Sequence, residues 1–240
     1  MITAARHGKL RNYDLYEDEI TSIIFGPMQY FPARDVWEIF RNLSGYAGIN
    51  FWPIKMPESV KMHFWPKTGP VEPDLVIQFY RGEENILNII LEVKWDAPLS
   101  PLCELVRQWG HRGDDKSEWI HLYLVKDVAK RHADIQQSLD IALGKEEPCA
   151  QVRWKCCCDM RIKQKDITAL KLTPRIWSER LGCVGWRHVL KSMPAGLKNT
   201  EWQEGAERFL GKHDFAHLTG FDWLNREALV SVEDTNWFNK

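Results

Sequence analysis

Between Pro73 and Lys94 the chain sets Asp74, Glu92 and Lys94 at the ends of two apolar runs, Leu75 to Tyr80 and Ile86 to Val93. Arg81-Gly82-Glu83-Glu84 separates the runs. Each run has the length and make-up of a buried strand, and the glycine-bearing polar break between them has the character of a hairpin. Side chains alternate faces along a strand, so Glu92 and Lys94 project one way while Leu91 and Val93 point into packing. A hairpin brings Asp74, at the mouth of the first run, back to the end of the second. Two carboxylates and an ammonium then converge at the open end of neighbouring buried strands. Such a cluster is costly unless a cation or a substrate compensates it.

The elements that must position this cluster are readable around it. A helix is expected over Tyr13 to Phe25, closed by Gly26-Pro27, with Tyr16, Ile20, Ile23 and Ile24 as its apolar stripe. At the helical angle Glu17 lies beside that stripe, Asp18 nearly opposite and Glu19 well off it, so Asp18 and Glu19 are expected in solvent. Glu17 is the acid that could reach the strand ends, although a first-turn acid also complements the helix dipole. A second helical stretch, Pro32 to Phe40, gives way to a segment loosened by Gly45 and Gly48. Val60 to Trp65 alternates like a strand and should pair with the strand after Asp74; His63 within it has a structural character more than that of a site residue.

After Lys94, Trp95-Asp96-Ala97-Pro98 leads into a helix ending near Gly110, whose packed face reads as Leu99, Leu102, Cys103, Val106 and Trp109. Gln108 falls away from that stripe. Trp119 to Val125 reads as a further buried strand, followed by a helix from Val128 to Leu143 and a strand from Gln151 to Met160. Beyond Lys165 the pattern changes to short helical pieces, with Thr173-Pro174 and Gly185-Trp186-Arg187-His188 as helix starts and Thr200-x-x-Gln203 as a capping box.

Pro73-Asp74, a hairpin, then Glu92-Val93-Lys94, with Tyr16-Glu17-Asp18-Glu19-Ile20-Thr21 upstream and Gln108-Trp109 downstream, resembles the PD-(D/E)XK nuclease superfamily over Tyr13 to Asp127. The resemblance implies an α/β fold: a restriction-endonuclease-like core, a mixed β-sheet flanked by helices, over residues 1–164, and a helical C-terminal subdomain over 165–240 as an extension of the same domain. It implies a Mg2+-dependent DNA endonuclease, with Mn2+ able to substitute, of the kind that serves restriction, repair or antiviral defence. Asp74 and Glu92 would ligate the metal, with the Val93 carbonyl as a third ligand. Glu17 would either bind through water or hold a second ion. Lys94 would orient the attacking water and stabilise charge at the phosphate, and whether it also serves as base stays open. Gln108 enters as an accessory site residue on the resemblance alone. DNA is the implied partner, and both a homodimer and partner proteins from a multi-gene system are compatible with it. Two other readings remain: a catalytically silent nuclease-fold subunit that binds or assembles, and a structural protein in which Lys94 bridges to Glu92 or Asp74.

Composition narrows the class. With 240 residues, 44% apolar and 27% charged, the chain has the make-up of one large soluble domain. No apolar run reaches the roughly 18 residues of a membrane span. Met1-Ile-Thr-Ala-Ala-Arg lacks the apolar core of a signal peptide, so a cytoplasmic location is expected. A formal net charge of −1 excludes only a globally basic nucleic-acid binder. The six cysteines are expected to be reduced. Cys156-Cys157-Cys158 alternate faces on a strand and cannot chelate one zinc together. Most of the twelve tryptophans should be packing residues. No helix-turn-helix or zinc finger supplies base recognition.

Overall fold

Alternation of apolar residues in the middle of the chain builds a sheet around which the rest is arranged. The computed structural model describes residues 16–67, 71–94, 103–110, 112, 117–128, 136, 174–194, 202–203 and 205–206. In chain order these form α1 (Tyr16–Phe25), a 3-10 turn (Pro27–Tyr30), α2 (Ala33–Tyr46), β1 (Ser59–Phe64), β2 (Leu75–Arg81), β3 (Glu84–Lys94), α3 (Cys103–Gly110), β4 (Trp119–Val125), α4 (Pro174–Arg180), β5 (Leu181–Gly185) and α5 (Arg187–Lys191). The fold is mixed α/β, a five-stranded mixed sheet flanked by helices, in the order β1-β2-β3-β4-β5. The first three strands form an antiparallel meander, and β3, β4 and β5 run parallel.

The β2–β3 turn is tight. Arg81 pairs with Glu84, and Gly82 takes φ 55°, the positive φ that primed hairpin turns require at their first central residue. Parallel pairing of β3 with β4 demands a crossover, and α3 lies within it. Both faces of β3 are covered, which is why it reads as a nearly continuous apolar run rather than an alternating one. On one face Ile89, Leu91 and Val93 join Leu75, Ile77, Ile120 and Leu122 under Ile20, Ile24, Val36 and Phe40 of α1 and α2. On the other, Val76, Ile90, Tyr123 and Leu181 pack with Leu105 and Trp109 of α3 and Trp177 of α4. β1, at the edge, keeps one side open to water.

Two expectations about the fold are corrected. α2 does not loosen at Gly45 but continues through it to Tyr46. The segment beyond residue 165 is not purely helical, because Leu181–Gly185 adds the fifth strand to the sheet. Gly182 is the residue that lets the end of α2 close on this edge. A Cβ there would meet Ala47 Cβ at 2.6 Å and Ala47 O at 2.8 Å. The expected helix over 128–143 apart from its first residue and Gln136, the strand over 151–160 with Cys156 to Cys158, and the cap at Thr200 lie outside the described residues. Among the described residues no helix is long and apolar enough to cross a membrane.

Candidate active site

Strand register delivers the charged residues to one place. Leu75 pairs with Leu91, so Asp74, one step before β2, stands level with Glu92. The Val93 amide donates to Asp74 Oδ2 at 2.7 Å, and the other oxygen of that carboxylate accepts no hydrogen bond among the described residues. Glu92 and Lys94, two apart on β3, share the face covered by α3. Lys94 Nζ lies 2.8 Å from Glu92 Oε1 and 3.0 Å from Glu17 Oε1, and Gln108 of α3 donates to Glu92 Oε2 at 2.6 Å. Asp74, Glu92, Lys94, Glu17 and Gln108 are therefore gathered at the C-terminal end of β3. All but Glu17, which is partly exposed, are buried.

Helix α1 is held in position by a tryptophan. Trp65, just past β1, adopts φ 47°, strained for a bulky residue. Its backbone N–H donates to the Asp74 carbonyl at 3.0 Å and its indole N–H to Asp18 Oδ1 at 3.1 Å. One residue thus ties the start of β2 to the turn of α1 that carries Glu17. The expectation that Asp18 and Glu19 stay in solvent fails on this point. Both are half-buried, because α1 packs not only on the sheet but also against the β1–β2 connection.

The charge balance of the cluster is uneven. Burial drives the Asp74 carboxyl well above the usual range, and the charges of Glu92 and Glu17 add to that, against the lowering effects of Lys94 and the Val93 amide. Burial also pulls the Lys94 ammonium down, but Glu92, Asp74 and Glu17 together outweigh it and hold it above the ordinary lysine range. Lys94 is accordingly a cation at neutral pH. Three carboxylates gather about one ammonium, and burial biases one of them, Asp74, towards its protonated form. The all-oxygen donor set fits a hard divalent ion such as Mg2+, which takes carboxylates and keeps several waters. Among the described residues no three His, Cys, Asp or Glu side chains stand close enough to hold one ion together. Asp74, Glu92 and the Val93 carbonyl are the groups here that could hold an ion, with Glu17 on the far side of Lys94 from Glu92.

Gln108 was misplaced by periodicity. Among the side chains of α3 that are described, Leu105, Gln108 and Trp109 are buried, an i, i+3, i+4 stripe with a polar member. Leu99 and Leu102, which anchored the expected stripe, lie outside the described residues. His63 is exposed and meets Gln78 Oε1 at 2.9 Å, on the sheet rather than in the cluster. Two residues behind the cluster escaped the sequence altogether: His121 of β4, fully buried and 3.0 Å from Gln108 Oε1, and Trp177 of α4, whose indole donates to His121 at 3.2 Å. A signal existed for the first, since a histidine in a strand covered on both faces must have partners. Comparison of the chain with family models, with curated proteins and with solved structures finds no match.

Proposed function

We propose that the cluster is the active site of a Mg2+-dependent DNA endonuclease with a restriction-endonuclease-like core of the PD-(D/E)XK kind. The observation that carries this reading is Lys94 wedged between Glu92 and Glu17 beside Asp74, a buried carboxyl held well above its usual range chiefly by desolvation. Asp74, Glu92 and the Val93 carbonyl would hold the ion. When bound, Mg2+ lowers the pKa of a coordinated water and neutralises phosphate oxygens. Asp74, whose carboxyl is biased towards its protonated form in the free protein, gives up that bias as the ion binds. Lys94, kept charged, donates hydrogen bonds to the attacking water and to the phosphate rather than accepting a proton. Gln108 keeps one oxygen of Glu92 turned to the wall.

A second reading, a structural ion cluster, is favoured by one fact: Lys94 already pairs with two carboxylates in the free protein. The burial of Asp74 opposes it, since a purely structural cluster gains nothing from a carboxyl that desolvation pushes above its usual range. The readings separate by mutation. Asp74→Ala, Glu92→Ala and Lys94→Ala should each abolish Mg2+-dependent DNA cleavage while circular dichroism stays near wild type. Full cleavage by any of the three excludes this site.

A further inference from the structure

Behind Glu92, away from Lys94, a second chain of hydrogen bonds runs into the wall of the site. Trp177 donates its indole N–H to His121 Nδ1 at 3.2 Å, His121 Nε2 meets Gln108 Oε1 at 3.0 Å, and Gln108 Nε2 donates to Glu92 Oε2 at 2.6 Å. All four side chains are at most 3% exposed. Packing alone gives no reason for a histidine in this strand, where an apolar residue would avoid the desolvation of two ring nitrogens.

The direction of the chain is decided at its far end. An indole only donates, so His121 Nδ1 must accept, and a neutral imidazole then carries its proton on Nε2. That proton occupies Gln108 Oε1, which leaves the amide N–H2 of Gln108 to face Glu92. Burial lowers the His121 pKa to about 3, so the ring is neutral at physiological pH. Its plane is fixed by stacking on Trp109, ring centroids 6.4 Å apart, and on Trp177 at 6.1 Å.

We propose that His121 and Trp177 are positioning residues that act through Gln108, pinning Glu92 Oε2 to the wall so that Oε1 is the oxygen presented to Lys94 and to an incoming cation. The consequence for metal use rests on the nuclease reading; the orientation of the chain does not. Every donor meets an acceptor along it, so changing the first donor releases each later group in turn.

Two measurements on the full-length chain test this. In 15N-labelled protein at neutral pH, long-range proton–nitrogen spectra should show His121 protonated at Nε2 and bare at Nδ1. Trp177→Phe keeps the ring but removes the donor, and should give a mixture of tautomers. In DNA cleavage, Trp177→Phe and His121→Phe should raise the Mg2+ needed for half-maximal rate by about tenfold or more, the usual effect of losing a partner behind a metal ligand. In a Gln108→Leu background the same changes should shift it by no more than about twofold, because no amide remains to be aimed. A merely structural role would lower thermal stability and shift the Mg2+ requirement equally in both backgrounds. His121 protonated at Nδ1 in the wild type, or equal shifts with and without Gln108, overturns the proposal. If both variants fail to fold, the wild-type spectrum still decides. Absence of cleavage by the wild type would sink the nuclease reading instead, and the spectrum would judge the relay alone.

Discussion

The two faces of the sheet are equally buried and do opposite things. Ile89, Leu91 and Val93 of β3 pack in the core beneath α1 and α2, while Glu92 and Lys94, on the opposite side of the same strand, join Gln108 and His121 in a polar network beside Ile90. Burial of the first set is favourable by itself, at roughly 25 cal/mol per Å² of apolar surface. Burial of the second is tolerated only because its groups find partners, and even so desolvation holds the Asp74 carboxyl well above its usual range. One strand thus packs an apolar face with Ile89, Leu91 and Val93 and carries its charged groups, Glu92 and Lys94, on the other. The difference between the faces can be broken from either side.

The largest expected effect on stability comes from the apolar face. Ile77→Ala, at a fully buried position away from the cluster, should lower unfolding free energy by roughly 2–5 kcal/mol in urea titrations. Asp74→Asn should do the reverse. A carboxyl whose pKa is raised by folding destabilises the native state at any pH above its unfolded value, so removing its charge should leave metal-free stability at pH 7 equal to or above wild type. The same change should abolish cleavage, and a clear loss of metal-free stability would show that the polar face is built for structure after all.

Next comes acid. His121 has its pKa lowered to about 3 by burial, so the folded chain refuses a proton that the unfolded chain accepts below about 6.5. The stability it contributes is fully present above that pH and declines as pH falls towards 3, by up to about 1.4 kcal/mol per pH unit. His121→Phe should flatten this slope between pH 6 and 4 in denaturant titrations, even though its stability at pH 7 is lower. A slope equal to that of the wild type would show that His121 is not held neutral.

The acids of α1 give the smallest effects and rank themselves. Glu17→Gln should require more Mg2+ for half-maximal cleavage. Asp18→Asn, which weakens the bond from Trp65, should cost about 1 kcal/mol of stability. Glu19→Gln should stay within about 0.5 kcal/mol and leave the Mg2+ titration alone. A defect from Glu19→Gln and none from Glu17→Gln would mean that Glu19 is the acid that serves the cluster.

What could be read in the sequence was what is local. β2, its hairpin and β3 lie within one short stretch, and the two-residue period fixes which side Glu92 and Lys94 share. Glu17 was separated from its neighbours by the same kind of argument, the angle around a helix. The reasoning failed where a distant segment decides the environment. Asp18 is half-buried because Trp65, 47 residues away, reaches it. Gln108 takes its place from Glu92 and His121 on other elements, and β5 needed the close approach of Ala47 to explain Gly182. His121 and Trp177, 56 residues apart, have no common pattern in the chain and meet only when β4 and α4 pack.

The central claim is that the carboxylates gathered around Lys94 hold a divalent ion that cleaves DNA, and the most direct measurement is cleavage of supercoiled plasmid by the purified chain under defined metal conditions. With Mg2+ or Mn2+ the wild type should nick or linearise the plasmid, and Asp74→Asn should not. With Ca2+, whose longer and looser coordination misplaces the water, DNA should be bound but not cut. EDTA should stop the reaction, and returning Mg2+ should restore it. Cleavage by the wild type that survives exhaustive chelation, or equal cleavage by Asp74→Asn, would contradict the claim.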